Sequence, residues 1–224
     1  MLIKDWMSKS PVTIEHDASL DQAAELFRTR VISMLPVMDD GVLVGVVTDG
    51  DIKKALPSKA TTLDRFELRD LMGQVKINTI MSSPVTTINW DYTVDQAARL
   101  MLSSGISGLP VMENSILVGV ITKSDVFRCF VSFTGVAKNG QIFGFKLKDR
   151  AGAIKAITQV ICGFGGRLSS ILTSYDDIDV GYRTVFFHTY DVDPDKFDTL
   201  VTRLHAAGKL TYVADMSRGL RRLC

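Results

Sequence analysis

The chain has 224 residues, of which 46% are hydrophobic and 23% charged; these values are close to the roughly 45–50% and 25% of globular proteins and exclude a disordered or low-complexity chain. The formal net charge of +1 excludes a polycation that binds nucleic acid through charge alone. The longest stretch free of Asp, Glu, Lys and Arg is residues 77–90, shorter than the roughly 20 residues of a membrane-spanning helix, so we expect no membrane segment.

At the start of the chain, Met1 to Asp5 lacks the basic and apolar regions of a secretory signal, and we expect a cytoplasmic protein. The three cysteines, Cys129, Cys162 and Cys224, form no Cys-x-x-Cys pair and fit reduced thiols buried as small apolar groups. No two of the three histidines have the spacing of metal ligands, so we expect neither a metal nor a cofactor.

The first half of the chain contains a tandem repeat. A shift of 74 positions aligns residues 7–52 with residues 81–126 without a gap, and 22 of the 46 aligned positions are identical. Such self-similarity at a fixed period indicates a duplicated structural unit. The shared segments include Leu35-Pro36-Val37-Met38 with Leu109-Pro110-Val111-Met112, and Leu43-Val44-Gly45-Val46 with Leu117-Val118-Gly119-Val120.

Each copy predicts the order β-α-β-β-α. A β-prone run, residues 12–14, comes first, and a helix follows that begins at a capping box, Ser19-x-x-Gln22 in the first copy and Thr93-x-x-Gln96 in the second. Two strands, residues 35–38 and 42–47, are joined by a tight turn ending at Gly41, and a second helix comes after them.

This order, with Gly-Val-Val-Thr-Asp-Gly-Asp-Ile in one copy and Gly-Val-Ile-Thr-Lys-Ser-Asp-Val in the other, resembles a tandem pair of cystathionine-β-synthase-type (CBS) domains, or Bateman module, over residues 1–56 and 77–134. The resemblance implies a regulatory module in which two repeats pack about a pseudo-twofold axis. The clefts between such repeats bind adenosyl nucleotides: AMP, ADP, ATP or S-adenosylmethionine.

A Thr-x-x-Asp pattern opens the last helix of each copy, with Thr48 and Asp51 in the first and Thr122 and Asp125 in the second. A Thr hydroxyl and free N–H groups at a helix start suit a phosphate oxygen, and the Asp carboxylate can accept hydrogen bonds from ribose hydroxyls. The same spacing is also a helix cap, which the residues alone favour. The CBS resemblance implies ribose and phosphate contacts at these positions.

The two copies differ inside this pattern. Lys123 and Ser124 add a cation and a hydroxyl to the second copy, whereas Asp49 and Gly50 give the first an anion that would repel phosphate. We therefore expect the cleft of Asp125 to bind AMP more tightly than the cleft of Asp51.

The base pocket for Asp125 is expected from the other repeat, at Ile32, Ser33 and Met34, and the equivalent residues for Asp51 are Ile106, Ser107 and Gly108. Met34 and Gly108 occupy the position where phosphate-binding members of the family often have a basic residue. Their presence favours a ligand of low charge, AMP or S-adenosylmethionine.

Outside the repeats, residues 57–76 predict a helical linker, with apolar residues at Leu63, Phe66, Leu68 and Leu71. Residues 135–140 predict a second linker, residues 141–217 a second domain and residues 218–224 a tail.

The second domain has the pattern of the ferredoxin-like order β-α-β-β-α-β. The first strand is indicated by alternating Phe143, Phe145 and Leu147, the helices lie at residues 153–160 and from Asp193-Pro194, and the other strands lie at residues 168–175, 182–192 and 210–214. We interpret Arg218, Arg221 and Arg222 as a solvated basic tail.

The turn Asp149-Arg150-Ala151-Gly152 and the later Gly165-Gly166-Arg167-Leu168 make this domain resemble an ACT domain. The resemblance implies side-by-side pairing in a homodimer and an amino acid bound at the interface, near Asp149, Gly152, Arg167 and Leu168. Asp149 would hold the amino group and Arg167 the carboxylate. In the alternative, Asp149 caps the helix and pairs with Arg167, and the domain is purely structural.

We therefore expect an α+β protein, two CBS repeats plus an ACT domain, an order similar to that of the acetoin-utilisation protein B family. The hypothesis is a non-catalytic regulator that senses an adenosyl nucleotide, and an amino acid at the ACT domain, and signals to an unidentified partner protein. A nucleic-acid-binding regulator is disfavoured because residues 1–137 carry 13 basic and 16 acidic side chains. A small enzyme is disfavoured because no pattern joins a nucleophile to a base.

Overall fold

The structure, a computed structural model, describes residues 1–55 and 71–224, which divide into two units, residues 1–129 and 130–224. Most of the predicted linker, including Leu63, Phe66 and Leu68, lies outside the described residues, and residues 71–74 are helical. Among the described residues, no helix combines the length and the apolar character needed to cross a membrane.

In the first unit, both repeats have the predicted β-α-β-β-α order. The chain begins with a 3-10 turn, Ile3–Asp5, and strand β1, Ser8–Lys9. The first repeat contains β2 (Ile14–Glu15), α1 (Leu20–Thr29), β3 (Met34–Asp39), β4 (Val42–Thr48) and α2 (Asp49–Ala55). A second 3-10 turn, Ile77–Thr79, precedes β5 (Ile88–Asn89), α3 (Val94–Ser104), β6 (Gly108–Glu113), β7 (Ile116–Thr122) and α4 (Lys123–Thr134).

The local signals predicted from the sequence are present. Gln22 Oε1 accepts a hydrogen bond from the Ser19 N–H at 2.9 Å, and Ser19 Oγ accepts one from the Gln22 N–H at 3.3 Å, so the capping box is complete. The turn between β3 and β4 places Asp40 and Gly41 at φ angles of 47° and 80°, the left-handed backbone that such a hairpin turn requires.

The segments that precede the two repeats, residues 2–9 and 76–83, are exchanged between them, and we call them the leading segments. Strand β1 pairs antiparallel with β7 of the second repeat, where Ser8 lies opposite Val120. The equivalent residue of the second copy, Ser82, exchanges backbone hydrogen bonds of 2.9 and 3.1 Å with Val46 of β4.

The exchange extends into the cores. Ile3 is fully buried in the core of the second repeat, and Ile77 is fully buried in the core of the first. Met7 and Met81 pack against the same two cores. The first repeat, predicted as residues 1–56, therefore contributes its first residues to the sheet and core of the other copy.

The second unit contains one antiparallel sheet, and residues 141–215 show the predicted order β-α-β-β-α-β. Its elements are β8 (Gln141–Lys148), α5 (Ala153–Gly163), β9 (Arg167–Ser174), β10 (Tyr182–Tyr190), α6 (Phe197–Ala207), β11 (Lys209–Asp215) and β12 (Leu220–Leu223). The strand order is β12-β11-β8-β10-β9. Phe143, Phe145 and Phe187 are fully buried and form the core with Leu200 and Leu204 of α6.

Several expectations for this region were wrong. The predicted tail forms β12, because its backbone pairs with the free edge of β11 while its arginine side chains stay exposed. The two units divide between residues 129 and 130, inside α4, and the predicted linker at residues 135–140 stays a prediction. Cys129 is buried as expected, but Cys162 and Cys224 are exposed.

Candidate ligand-binding clefts

Two clefts lie between the repeats of the first unit. The large cleft, of about 650 Å³, is lined by residues 8–12 and 30–34 of the first repeat and by residues from Val120 to Arg128 of the second. The small cleft, of about 300 Å³, is lined by residues from Met34 to Asp51 of the first repeat and by Ser82 and residues 84–86 and 105–108 of the second. Both volumes lie near or within the roughly 300–1,000 Å³ of small-molecule sites.

The two clefts are equivalent under the repeat. A shift of 74 positions converts Thr122 and Asp125 of the large cleft into Thr48 and Asp51 of the small one, and Ile32 into Ile106. Each cleft therefore combines the Thr-x-x-Asp pattern of one repeat with the segment before the Leu-Pro pair of the other. The two sites have the same backbone plan, and their differences lie in the side chains.

In the large cleft, the Asp125 carboxylate is engaged on both oxygens. Oδ2 accepts hydrogen bonds from the Thr122 N–H and hydroxyl, both at 2.8 Å. Oδ1 accepts a hydrogen bond of 3.0 Å from Nη2 of Arg128, which also donates to the Trp6 carbonyl at 2.7 Å. An ionised carboxylate offers about four acceptor positions, so about one remains on Asp125 for a ligand.

In the small cleft, Asp51 is less occupied. Its Oδ2 accepts hydrogen bonds from the Thr48 N–H at 2.9 Å and from the Thr48 hydroxyl at 2.6 Å. Within the described residues no hydrogen bond reaches Oδ1 of Asp51. Two acceptor positions therefore remain, which match the two hydroxyls of a ribose.

The geometry of the Thr-x-x-Asp pattern has features of both interpretations, the helix cap and the ligand contact. In each copy the Thr hydroxyl donates its proton to the Asp three residues later, and its contact with a phosphate oxygen stays a prediction. The Asp accepts two hydrogen bonds at the helix start as a cap does, yet its carboxylate lines the cleft. One side chain therefore serves the helix and faces the site.

Charge separates the two clefts most clearly. Lys9, Arg30 and Arg128 line the large cleft with one carboxylate, Asp125, which gives its lining a formal charge of +2. Asp51 is the one charged residue among the described lining of the small cleft, which gives −1. Neither Lys9 nor Arg30 forms an ion pair within the described part of the chain.

The structure brings most of the predicted cleft residues together, but three of the four that distinguish the copies lie outside the lining of both clefts. Lys123 is exposed and outside the lining of both clefts, although its N–H donates to the Ser107 carbonyl at 2.9 Å. Asp49 is ion-paired with Lys53 one turn further along α2 and is also outside the lining. Ser124 lines the large cleft, and Gly50 does not line the small one.

The predicted base-pocket residues occupy the expected clefts. Ile32 and Ser33 line the large cleft, and Ile106, Ser107 and Gly108 line the small one. Met34 lines both clefts. It lies beside Gly108 between the two clefts, since a Cβ on Gly108 would be 3.2 Å from the Met34 Cε.

Sequence reasoning missed the three cations of the large cleft. Arg128 stands three residues after Asp125 on one helix, a spacing that brings side chains together and could have been recognised. Lys9 and Arg30 could not, because they reach the second repeat's site only through the exchange of the leading segments and the packing of the repeats.

The thiol nearest this site is not activated. Cys129 follows Arg128 on α4 and is buried against the Met1 Sδ at 3.4 Å. Burial raises the pKa of the Cys129 thiol, which disfavours the nucleophilic thiolate.

In the second unit, the predicted amino-acid site is divided. Asp149 Oδ1 lies 3.5 Å from Nε of Arg183, and Arg167 Nη1 lies 3.7 Å from Asp191. Lys148, the neighbour of Asp149, lies opposite Tyr182 at one end of β10, and Arg167 lies opposite Tyr190 at the other end. At 3.3 Å per residue, these two ends of β10 are roughly 26 Å apart.

Within one chain, the expected pairing of Asp149 with Arg167 was therefore wrong, whereas the amino-acid site predicted at an interface between two copies stays a prediction. Asp149 does not cap α5 either, because that helix begins at Ala153 and its N-cap residue is Gly152, which has a φ of 81° and no side-chain cap. Leu168 packs against the core of the unit.

Comparison with known proteins assigns the first unit. A model of the CBS domain matches residues 3–58 and 77–132, which are 112 of the 224 residues and coincide with the two repeats. The chain belongs to the CBS-domain family. Each matched segment contains a Thr-x-x-Asp pattern that lines one cleft and, before its Leu-Pro pair, residues that line the other cleft.

Individual relatives match a little more than half of this CBS-domain chain. A CBS domain-containing protein of Dictyostelium discoideum is 35% identical over 133 residues, which are 58% of this chain and 92% of that protein. The CBS-domain pair of protein MJ0100, solved in complex with 5′-methylthioadenosine and S-adenosyl-L-methionine, is 34% identical, with a TM-score of 0.49, and the match covers 58% of this chain and 96% of that one. A Vibrio cholerae protein described as an acetoin utilization protein shares the fold, with 24% identity, a TM-score of 0.51 and coverage of 61% and 95%.

Proposed function

We propose that this protein is a non-catalytic regulator that binds an adenosyl nucleotide in the clefts of its CBS-domain pair. The observation that carries the proposal is the pair of equivalent clefts, each formed by both repeats and each lined by an Asp with acceptor positions left for a ligand. Membership of the CBS family supports an adenosyl ligand, because the family resemblance implies ribose contacts at these two Asp positions.

The position of the clefts supports a signalling role. A ligand in either cleft touches both repeats, so it binds best to one relative arrangement of the two and shifts the population toward it. A partner protein that contacts both repeats would detect this shift. We propose that the protein acts as a homodimer on such a partner, in acetoin or carbon metabolism.

The second unit is proposed to be a ferredoxin-like ACT domain. Its order β-α-β-β-α-β and its strand order support this assignment. Because Asp149 and Arg167 lie at opposite ends of the sheet, an amino acid that contacts both must lie between two copies of the chain, as the ACT resemblance implies. Asp149 would then come from one copy and Arg167 from the other.

Ligand titration tests the nucleotide proposal. A ligand selective for the folded state stabilises it by about 2.7 kcal/mol at a concentration one hundred times its Kd, so an adenosyl ligand should raise the melting temperature. Calorimetry and thermal unfolding with AMP, ATP and S-adenosylmethionine provide the measurement. The absence of both heat and thermal shift for all three at millimolar concentration would contradict the proposal.

The amino-acid proposal has a separate test. In a screen of the twenty amino acids by amide NMR, a ligand should move the signals around Gly152. Asp149→Ala should then abolish binding and Arg167→Ala should weaken it, while the dimer stays folded. A screen in which no amino acid moves these signals would support a structural role for the domain.

A further inference from the structure

We infer that the two clefts select adenosyl ligands of different charge: the large cleft takes a phosphorylated nucleotide, and the small cleft takes an adenosyl ligand without phosphate. The inference rests on the proposed function and concerns the class of ligand in each site. It is carried by the side chains in which the two equivalent clefts differ.

The large cleft supplies what a phosphate needs. Lys9 and Arg30 line it without a counter-charge in the described part of the chain, and Arg128 adds a third cation. Charge-assisted hydrogen bonds from Lys and Arg to phosphate are about twice as strong as neutral ones. The volume of about 650 Å³ leaves room for a phosphate beside a nucleoside.

The large cleft is also the poorer ribose site. Oδ1 of Asp125 already accepts from Arg128, so full engagement of two ribose hydroxyls requires Arg128 to leave the carboxylate. A ligand phosphate gives Arg128 a new anionic partner in the same cleft. A nucleotide therefore compensates for the broken ion pair, whereas a nucleoside does not.

The small cleft has the opposite properties. Its described lining contains no cation, and its single charge, on Asp51, repels a phosphate. Oδ1 of Asp51 accepts no hydrogen bond from the residues that the structure describes, so among these residues no group has to be displaced when it accepts both ribose hydroxyls. Its volume of about 300 Å³ is less than half that of the large cleft, which favours the smaller ligand.

The repeat provides a matched pair of variants to test this division. Arg30 stands at the end of α1, and the equivalent position at the end of α3 is Ser104; both residues are exposed, so exchange at either should leave the fold intact. Isothermal titration of the full chain with AMP and with adenosine would be compared for wild type, Arg30→Ser and Ser104→Arg. We expect one AMP per chain in wild type and adenosine as the preferred ligand of the other cleft.

Arg30→Ser should weaken AMP about tenfold, the size of one exposed charge-assisted contact, and leave adenosine unchanged. Ser104→Arg should add a second AMP site. An AMP affinity that stays within twofold in Arg30→Ser, or a loss shared equally by adenosine, would overturn the inference while leaving the proposed function standing. If neither AMP nor adenosine binds wild type, the proposed function itself fails. Thermal unfolding checks each variant, and Lys9→Ser, which introduces the residue found at position 83, repeats the test.

Discussion

The two clefts of the CBS-domain pair have the same backbone plan and opposite charge. Both contain a Thr whose N–H and hydroxyl hydrogen-bond to an Asp three residues later, with donor–acceptor distances between 2.6 and 2.9 Å. Around this shared core, one cleft has three cations and the other has none in its described lining. Under the proposed function, the duplicated geometry would set where a ligand lies, and the side chains outside the Thr-x-x-Asp pattern would set which ligand it is.

The comparison also shows why local differences between the copies were misleading. Lys123 and Asp49 lie inside the Thr-x-x-Asp pattern, yet neither lines a cleft. The charges that do line the large cleft come from Arg30 and Lys9 of the opposite repeat and from Arg128 one turn further along α4. Which residues form a cleft between repeats is decided by the packing of the repeats.

The largest expected effect is the loss of AMP binding in Asp125→Ala. This substitution removes the carboxylate facing the ribose, and hydrogen bonds to charged groups contribute about 1.5–3 kcal/mol, or roughly ten- to more than a hundredfold in affinity. Asp51→Ala is the matched control and should cost AMP less and adenosine more. Calorimetry on both variants measures the two ligands.

Both substitutions also remove a group that accepts hydrogen bonds at a helix start, which costs about 1 kcal/mol of stability, so affinities must be compared on folded protein. If Asp51→Ala abolishes AMP binding and Asp125→Ala leaves it intact, our ranking of the two clefts is wrong.

The next effect concerns stability at two equivalent glycines. A Cβ on Gly119 would lie 2.8 Å from the Ser8 carbonyl oxygen and 2.6 Å from the Met7 Sδ, whereas the three atoms nearest to a Cβ on Gly45 all belong to the flexible side chain of Met81. Overpacking against backbone typically costs about 1–3 kcal/mol, so Gly119→Ala should lower the free energy of unfolding more than Gly45→Ala. Urea denaturation of the two variants measures the difference.

Because Ser8 lines the large cleft, Gly119→Ala should also weaken AMP binding, while Gly45→Ala leaves it closer to the wild-type value. Equal destabilisation by the two substitutions would contradict this prediction, because it would show that the backbone of β1 is displaced as easily as the side chain of Met81.

Salt should separate the clefts by a smaller amount. Raising the ionic strength from 0.1 to 1 M shortens the Debye length from about 10 to 3 Å, which screens the cations of the large cleft. AMP affinity should fall several-fold, whereas adenosine affinity should stay within about twofold. A titration series at increasing NaCl measures both, and parallel curves for the two ligands would argue against charge as the distinguishing property.

The smallest effect is expected for Asp49→Lys. The sequence suggests that this change strengthens AMP binding at the first Thr-x-x-Asp site, because it removes an anion near the phosphate. In the structure Asp49 is paired with Lys53 and lies outside the lining, so the AMP affinity should stay within about twofold of wild type. A tenfold gain in calorimetry would restore the original interpretation.

Much of the architecture was predictable because it depends on local sequence patterns. The capping box at Ser19, the turn at Gly41 and the alternation at Phe143 depend on neighbours a few residues away, and all three are present. Residues 32–34 and 106–108 line the clefts predicted for them, because the repeat implies a symmetric pair, and their role in binding a base stays a prediction.

What could not be predicted depends on distant backbone. Strand β12 exists because β11 has an open edge, and its arginines gave the sequence the character of a tail. The separation of Asp149 from Arg167 follows from strand directions, which a motif does not reveal. Lys9 enters the large cleft only because its strand crosses to the other repeat.

The exchange of the leading segments also makes the folding of each repeat depend on the other. The core of the first repeat contains Ile77, so this repeat cannot complete its core until the chain beyond the second leading segment has been synthesised. The core of the second repeat in turn contains Ile3, which is separated from its contacts in that repeat by a loop of roughly ninety residues. Closing such a loop costs conformational entropy, and only the packing of the completed core offsets this cost. Neither repeat is a self-sufficient folding unit, and we expect the pair to appear and disappear in a single cooperative transition.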